Sequence, residues 1–360
     1  MTELPVTEPP AQQPGEMPGA RYAMNIVHPG SPVLRIRYRS GVLVDPYGFP
    51  DWVLYARALV ELPDPVPGLS VDEMRVLDVL AANACMAGAG EDPLWTLTAP
   101  PLATPAGWCW AHLGLSRRIA LVPIELHGSY RHGGGVRTMP VEPYRRGLRV
   151  DAEPVPVAPG VGDEVPEEVL GDLERVLGHP LPPGYRRYLA ATNGAAPAEP
   201  AVLGGSGFVA DQPLFGVARG DQHQDLGYVR GWLADRFTPD LLPIGYVQGG
   251  MLAVGVAEPI VDSVWYWDDD DPRDDAGYGP AEIRTRLLHR CADTFDGFWA
   301  RLCRPPAVLV ELAGELAATG RVRPVRVEDA GEGLPAALRG PGQPAPVRKH
   351  DPVTGLFELP

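Results

Sequence analysis

WCWAHLGLSRRIALVPIELHGSYRHGGG, residues 108–135, decides how the first half of this chain folds. It carries three of the chain's eight histidines, His112, His127 and His132, within 21 positions. By pattern it is a ββα unit. WCWAHL reads as an aromatic-rich strand, GLSRR as a turn and IALVP as a second strand. ELHGSYRH reads as a short helix that Gly133-Gly134-Gly135 ends. His127 and His132 lie five positions apart, about 140° around a helix, so they cannot share one helical face. They converge only if the helix ends near Arg131 and the chain turns inward at His132, a turn the glycines permit.

Working outward, LRIRYRSGVLVD predicts a strand pair around Ser40-Gly41. SVDEMRVLDVLAANACMAG has a helix signature, with Ser70 as N-cap, Glu73 three on, then Met74, Val76, Leu77, Val79 and Leu80. EPVPVAPGVGDEVP is a linker by composition. A second helix then begins with Pro166 in its first turn and Glu167 and Glu168 at the positive end of its dipole. Val165, Val169, Leu173, Val176 and Leu177 fit its 3.6-residue period, and Gly178 is its stop. MLAVGVA and SVWYWD are strand signals, and helices are expected through TFDGFWARL and LVELAGELAATG. Trp265 and Trp267 alternate with Tyr266 and should face the same side of a sheet. Tyr185, Tyr188 and Leu189 are expected in the core, and Gly249-Gly250 in a hairpin turn.

The 360 residues suffice for two domains, and Gly and Pro together number 85. No apolar run approaches the length of a membrane span and no secretory leader is read at the start, so a cytoplasmic protein without membrane contact is expected. Four cysteines without a C-x-x-C pair are expected as free thiols. The net charge of −15 excludes a general nucleic-acid binder. The charge is uneven. Residues 117–149 hold seven Arg against two acids, whereas residues 163–303 hold 11 Arg against 23 acids. The two halves therefore differ in the partners they suit.

Four spaced motifs give the first half a family likeness. GFPDWVLYARA (48–58), LAANACMAG (80–88), GWCWAH (107–112) and LVPIELHGSYRHGGGV (121–136) follow in the order seen in the HNH/endonuclease VII superfamily. The stretch over about 40–139 resembles the branch of that superfamily named for a consecutive Trp-His-His. The first His of the pair is here Ala111. The resemblance implies that the lost side chain was a metal ligand, that His112 is the general base of an active site, and that His127 and His132 are the remaining ligands. Divalent metal assists phosphodiester cleavage by stabilising charge on the phosphate and the leaving oxygen, and an alanine methyl coordinates nothing. Arg117, Arg118, Arg131 and Arg137 are candidate phosphate contacts. Three readings stay open: a retired nuclease fold, a working nuclease that tolerates Ala111, and an unrelated hairpin with structural histidines.

A second resemblance covers about 163–303. Leu181-Pro182, Tyr185, Asn193-Gly194, Pro243-Ile244-Gly245, Gly249-Gly250 and Trp267-Asp268 fall in the order of the SUKH superfamily, which includes many bacterial immunity proteins. That likeness implies a binding role without catalytic residues, usually neutralisation of a toxin. The run Asp268, Asp269, Asp270, Asp271, Asp274 and Asp275 reads first as a solvated loop, and next as a partner-facing patch that occupies the basic cleft of a nuclease. A cation site is the third reading, since the spacing is not that of an EF-hand.

The expected class is α+β: a ββα-metal-like nuclease fold, then a SUKH-type domain with one antiparallel sheet. The expected boundaries are a disordered tail at 1–30, the nuclease-like domain at 31–150, a Pro-rich linker at 151–163, the immunity-like domain at 164–306, and a helix plus flexible tail at 307–360. The expected role is an immunity-type binding protein that neutralises a nuclease toxin through the acidic domain, with the nuclease-like domain degenerate and the chain not an enzyme. The alternative is a metal-dependent endonuclease regulated by its own second domain, with DNA or RNA held by the arginines of 117–149. No cofactor is expected, save a divalent ion (Mg, Mn, Zn or Ni) should the histidine site work.

Overall fold

The computed structural model describes residues 49–90, 102–128, 134–139, 147–149, 154–271 and 278–326, with short pieces at 24–27, 35–39, 42–44, 93–96, 131–132, 273–274, 349–350 and 357–358. β1 (Met24–Val27), β2 (Arg35–Arg39) and β3 (Val42–Val44) form a small antiparallel sheet. The β2–β3 pair is the one expected around Ser40-Gly41, with Tyr38 opposite Leu43. β1 corrects the expectation of a structureless 1–30, because Met24–Val27 pair with Arg35–Tyr38. The rest of 1–30 lies outside the described residues.

The first half is built on β4 (Ala58–Glu61), α1 (Val71–Ala89), α2 (Pro93–Thr96), β5 (Trp108–His112), β6 (Arg118–Pro123) and the one-turn α3 (Ile124–His127). α1 starts as its sequence predicts: Ser70 Oγ accepts from Glu73 N, Glu73 Oε2 accepts from Ser70 N, and Gly90 ends the helix in the left-handed region. Most of α1 is buried, including Asp72, Glu73, Arg75, Asp78 and Asn83. A helix covered on all sides must satisfy such groups inside. Asn83 does so by donating to Leu102 O and Thr104 and accepting from Trp110 Nε1.

In the second half, α4 (Glu167–Leu177) and α5 (Pro183–Thr192) precede β7 (Ala201–Leu203) and β8 (Val209–Ala210). α6 (Leu226–Trp232) leads to β9 (Leu241–Val247), β10 (Gly250–Gly255) and β11 (Val264–Asp268). α7 (Pro280–Arg286), β12 (Leu288–Ala292), α8 (Phe295–Trp299) and β13 (Leu302–Cys303) complete it. The main sheet is antiparallel in the order β12-β11-β10-β9, and a smaller one runs β13-β7-β8. Gly178, at positive φ, stops α4 where expected, and Asn193, also at positive φ, stops α5. Val176 is 70% exposed and Leu170 is buried, so the apolar face of α4 is turned from the expected stripe. Tyr185, Tyr188 and Leu189 are buried as expected.

The chain then returns. α9 (Ala307–Ala318) packs along α1, and β14 (Arg323–Val325) pairs with β4, giving the first half a sheet in the order β14-β4-β6-β5. The expected boundary at 306 therefore does not separate a tail from a domain. β15 (Lys349–His350) and β16 (Phe357–Glu358) form one more pair inside the expected flexible segment. The linker is pinned rather than free: Val157 is buried and donates to Leu302 O, and Pro156 and Pro159 bridge to Cys303 and Pro197. All four cysteines are free thiols. Among the described residues no helix is long and apolar enough to cross a membrane.

The first sheet is apolar on both faces. Val60, Trp110, Ile119 and Leu121 turn towards α1 and α9, in a core with Leu77, Leu80, Leu309 and Leu316. Leu59, Cys109, Ala111, Ala120 and Val122 turn the other way, into one continuous core with Tyr246, Met251, Trp267 and the rest of the second half. This is why RIALVP reads as an unbroken apolar run instead of an alternating one. Because the halves share a core, urea unfolding of the full chain should give a single transition by Trp fluorescence and circular dichroism. Leu316→Ala should lower its stability by about 2–4 kcal/mol. Two resolved transitions would contradict the shared core.

Candidate functional site

The hairpin delivers the first histidine. His112 closes β5 opposite Ile119, and its Nε2 lies 3.0 Å from Oδ2 of Asp78 on α1. Arg117, on the hairpin loop, grips the same carboxylate with both terminal nitrogens at 3.0 and 2.9 Å and donates through Nε to Pro63 O. The guanidinium expected to meet phosphate instead holds Asp78 behind His112. A carboxylate that fixes one imidazole nitrogen is the usual means of orienting a base.

α3 ends at Gly128, a residue past His127 and sooner than the sequence pattern suggests. The earlier stop is what lets His132 come back. The His127 and His132 rings meet edge-on at 4.7 Å, and each lies 5.1 Å from the ring of Trp52, which is 2% exposed. Ala111, His112, His127 and His132 line a single cavity of about 20 Å³. That volume is room for a water molecule or one ion.

The second half forms the roof. Asp268 ends β11, Asp269 and Asp270 follow directly, and Asp269 Oδ2 is 3.7 Å from His127 Nδ1. Arg75 of α1 bonds Asp268 and Asp270 at 2.9 and 3.0 Å. Arg131 bonds Asp274 and Tyr278 O. Two glycines allow the approach. A Cβ on Gly134 would collide with Asp270 Oδ1, and one on Gly128 would meet the Tyr246 ring at 2.5 Å. Gln248, at the β9–β10 turn, accepts from Trp110 N and donates to Trp108 O, so the open edge of β5 is satisfied by a side chain of the second half. Asp211 and Gln212 accept in the same way from Thr104 N and Gly107 N.

The acidic run is therefore not a solvated loop. Asp268, Asp270, Asp271 and Asp274 are all buried, because Arg75, Arg131 and the adjacent Arg273 face them. Asp275 lies outside the described residues. Of the other expected phosphate contacts, Arg118 sits half-buried on β6 opposite Glu61. Arg137 lies in the 3-10 turn Gly135–Thr138, with its side chain outside the described residues. Trp267 is buried while Trp265 is only partly so, and Tyr266 is buried too, since β11 is covered on both faces.

Burial sets the charge states. Burial, reinforced by His132, Arg236 and His112, holds His127 well below the ordinary histidine range. Burial pushes Asp269 well up, with Asp270 and Asp268 adding to it and Arg75 and Arg236 opposing. For Arg75 burial works against the cation, but Asp268, Tyr266 and Asp270 outweigh it and fix the charge. Partial burial, with the charge of Asp221 adding to it, raises Glu125 to about 7.

Sequence reasoning passed over Arg75, Asp78, Gln248 and Trp52. Arg75 and Asp78 did leave a signal, since they stand three apart inside the apolar run of α1, where charges are buried only when paired.

Comparison with known families agrees with this layout. Residues 100–140 match the family described as a nuclease of the HNH/ENDO VII superfamily with conserved WHH. Residues 164–301 match the SMI1/KNR4 family (SUKH-1). No curated protein and no solved structure matches the chain. The fold is α+β with antiparallel sheets, and the segment matching the nuclease family precedes the one matching SUKH-1.

Arg75 ties the two together, and its removal leaves Asp268 and Asp270 buried without their cation. Arg75→Ala should cost about 3–5 kcal/mol by urea unfolding. A loss under about 1 kcal/mol would show that the buried ion group does not hold the halves.

Proposed function

We propose that the protein is an immunity-type binding protein whose nuclease-like half is a non-cleaving resident of its own SUKH-type domain. The observation that carries this reading is the seat of Asp268–Asp270 and Asp274 on Arg75, His127 and Arg131, which closes the histidine cavity from above. Two further features support it. Ala111 offers no metal donor. Arg117 and Arg131 are engaged within the chain. On this reading the first half occupies the acidic face in the manner of a captured nuclease, and the cognate target is a toxin nuclease of the same histidine-bearing kind. The complementary charges supply specificity and association rate. A location in the cytoplasm belongs to the same proposal, as does a ββα-metal ancestry for β5, β6 and α3.

One observation favours a second reading, an endonuclease held shut by its own second domain. His112 keeps the Asp78 that orients it, with Arg117 behind. Opening would have to uncover the Leu59–Ala111–Val122 face, which the second half buries.

Full-length protein incubated with plasmid DNA or RNA and Mg, Mn, Zn or Ni should leave the substrate intact, as should its His112→Ala variant. Because the acidic face is already filled, co-elution with a Trp-His-His toxin nuclease should not weaken as salt rises. Divalent-dependent cleavage that disappears in His112→Ala would overturn the proposal in favour of the second reading.

A further inference from the structure

We infer that the second half binds one monatomic anion, a halide such as chloride, through the buried donors of Arg236, Tyr246 and Trp267. The site needs the two halves closed on each other, and it needs no toxin.

The sheet brings the three side chains together. Met251 on β10 stands opposite both Tyr246 on β9 and Trp267 on β11, so all three project from one face. Arg236, just past α6, lies against that row. Its Nη1 is 3.9 Å from Met251 Sδ, and its guanidinium carbon is 5.4 Å from the centre of the Trp267 ring. The same Nη1 donates to Gly128 O of the first half at 2.6 Å. A Cβ on Gly128 would come 3.1 Å from Tyr246 Oη, so the hydroxyl and the guanidinium meet at that glycine. Gly128, Tyr246, Met251 and Trp267 all line the cavity of about 20 Å³.

The hydrogen bonds this group lacks are those of donors. Arg236, Tyr246 and Trp267 are 0%, 2% and 3% exposed. Among the described residues nothing bonds Arg236 Nη2, Tyr246 Oη or Trp267 Nε1. Guanidinium and indole nitrogens only donate, so a partner common to them is an acceptor. Nη2 carries two N–H groups and the indole one. A single water accepts two hydrogen bonds, and the cavity has room for one water or one ion. A halide accepts from every side and meets all three, with the Tyr246 hydroxyl as a fourth.

Charge selects the same ligand. A guanidinium with no exposure needs a counter-charge. Among the described residues the ion pair of Arg236 is with Asp235, 3.4 Å from Nε, and that carboxylate is 43% exposed and screened by water. The acids at the end of β11 are engaged elsewhere. Arg75 bonds Asp268 and Asp270, and Asp269 faces His127.

Full-length protein melted at constant ionic strength, with bromide replacing gluconate, should gain melting temperature with the logarithm of bromide concentration, as a ligand of the folded state requires. Chloride should act alike. General salt stabilisation comes from excluded anions such as sulfate, not from bromide. Tyr246→Phe removes one O–H and keeps the ring, and it should weaken the apparent bromide affinity about tenfold or more. Melting in gluconate reports whether this variant folds; should it fail to, Trp267→Phe, which loses the indole N–H, is expected to give the same loss. Crystals of the unaltered chain grown in bromide should place its anomalous peak in contact with Arg236, Tyr246 and Trp267. Melting indifferent to bromide, an unchanged response in the folded variant, or a peak on the surface alone, an adventitious ion only, would overturn the inference. Each of these results leaves the proposed function standing, and cleavage in the nuclease assay would leave the halide site standing.

Discussion

A sheet with two apolar faces cannot stand alone in water, and the first half of this chain is built on one. Helices α1 and α9 cover one face of β14-β4-β6-β5. The second half covers the other, through Leu59, Cys109, Ala111, Ala120 and Val122. At about 25 cal/mol per Å² of apolar surface, exposing a face of that kind is unaffordable for a fold stabilised by about 5–15 kcal/mol. The family boundary near residue 150 thus divides two matching segments but not two folding units. The chain's own path says the same, because it leaves the second half to lay α9 and β14 on the first.

Charge is arranged to suit that burial. Arg75 and Arg131 reach from the first half into the acidic strand end of the second, and Gln248 answers the open edge of β5. Each of these groups would be costly to bury by itself. Together they fix the register of one half on the other, and they do so at the histidines. The same contacts that hold the molecule together thereby reduce the cavity to the size of an ion.

Much of this was legible beforehand. The Ser70–Glu73 capping box, the β5–β6 hairpin and the Gly178 stop all rest on local chemistry, and local chemistry is written in adjacent residues. The convergence of His127 and His132 was legible only as a condition, and it was met by a helix one turn long. The fate of the acidic run was not legible. Six carboxylates in eight positions look solvated unless their cations are known, and those cations, Arg75 and Arg131, are 193 and 143 positions away. Likewise nothing near residue 320 says that Arg323–Val325 will pair with β4. Long-range pairing of that kind is decided by which apolar face remains uncovered, which no window of sequence contains.

The most direct measurement is amide hydrogen exchange at Trp110 in the full chain. Its N–H lies on the outer edge of β5 and donates to Gln248 Oε1 at 2.9 Å, so its protection comes wholly from the second half. If the halves are one closed body, the Trp110 amide exchanges as slowly as the amides of β6 at its centre, through global unfolding alone. Exchange at Trp110 far faster than at β6, with β9 and β10 still protected, would mean that the halves part while each stays folded, and would contradict the account.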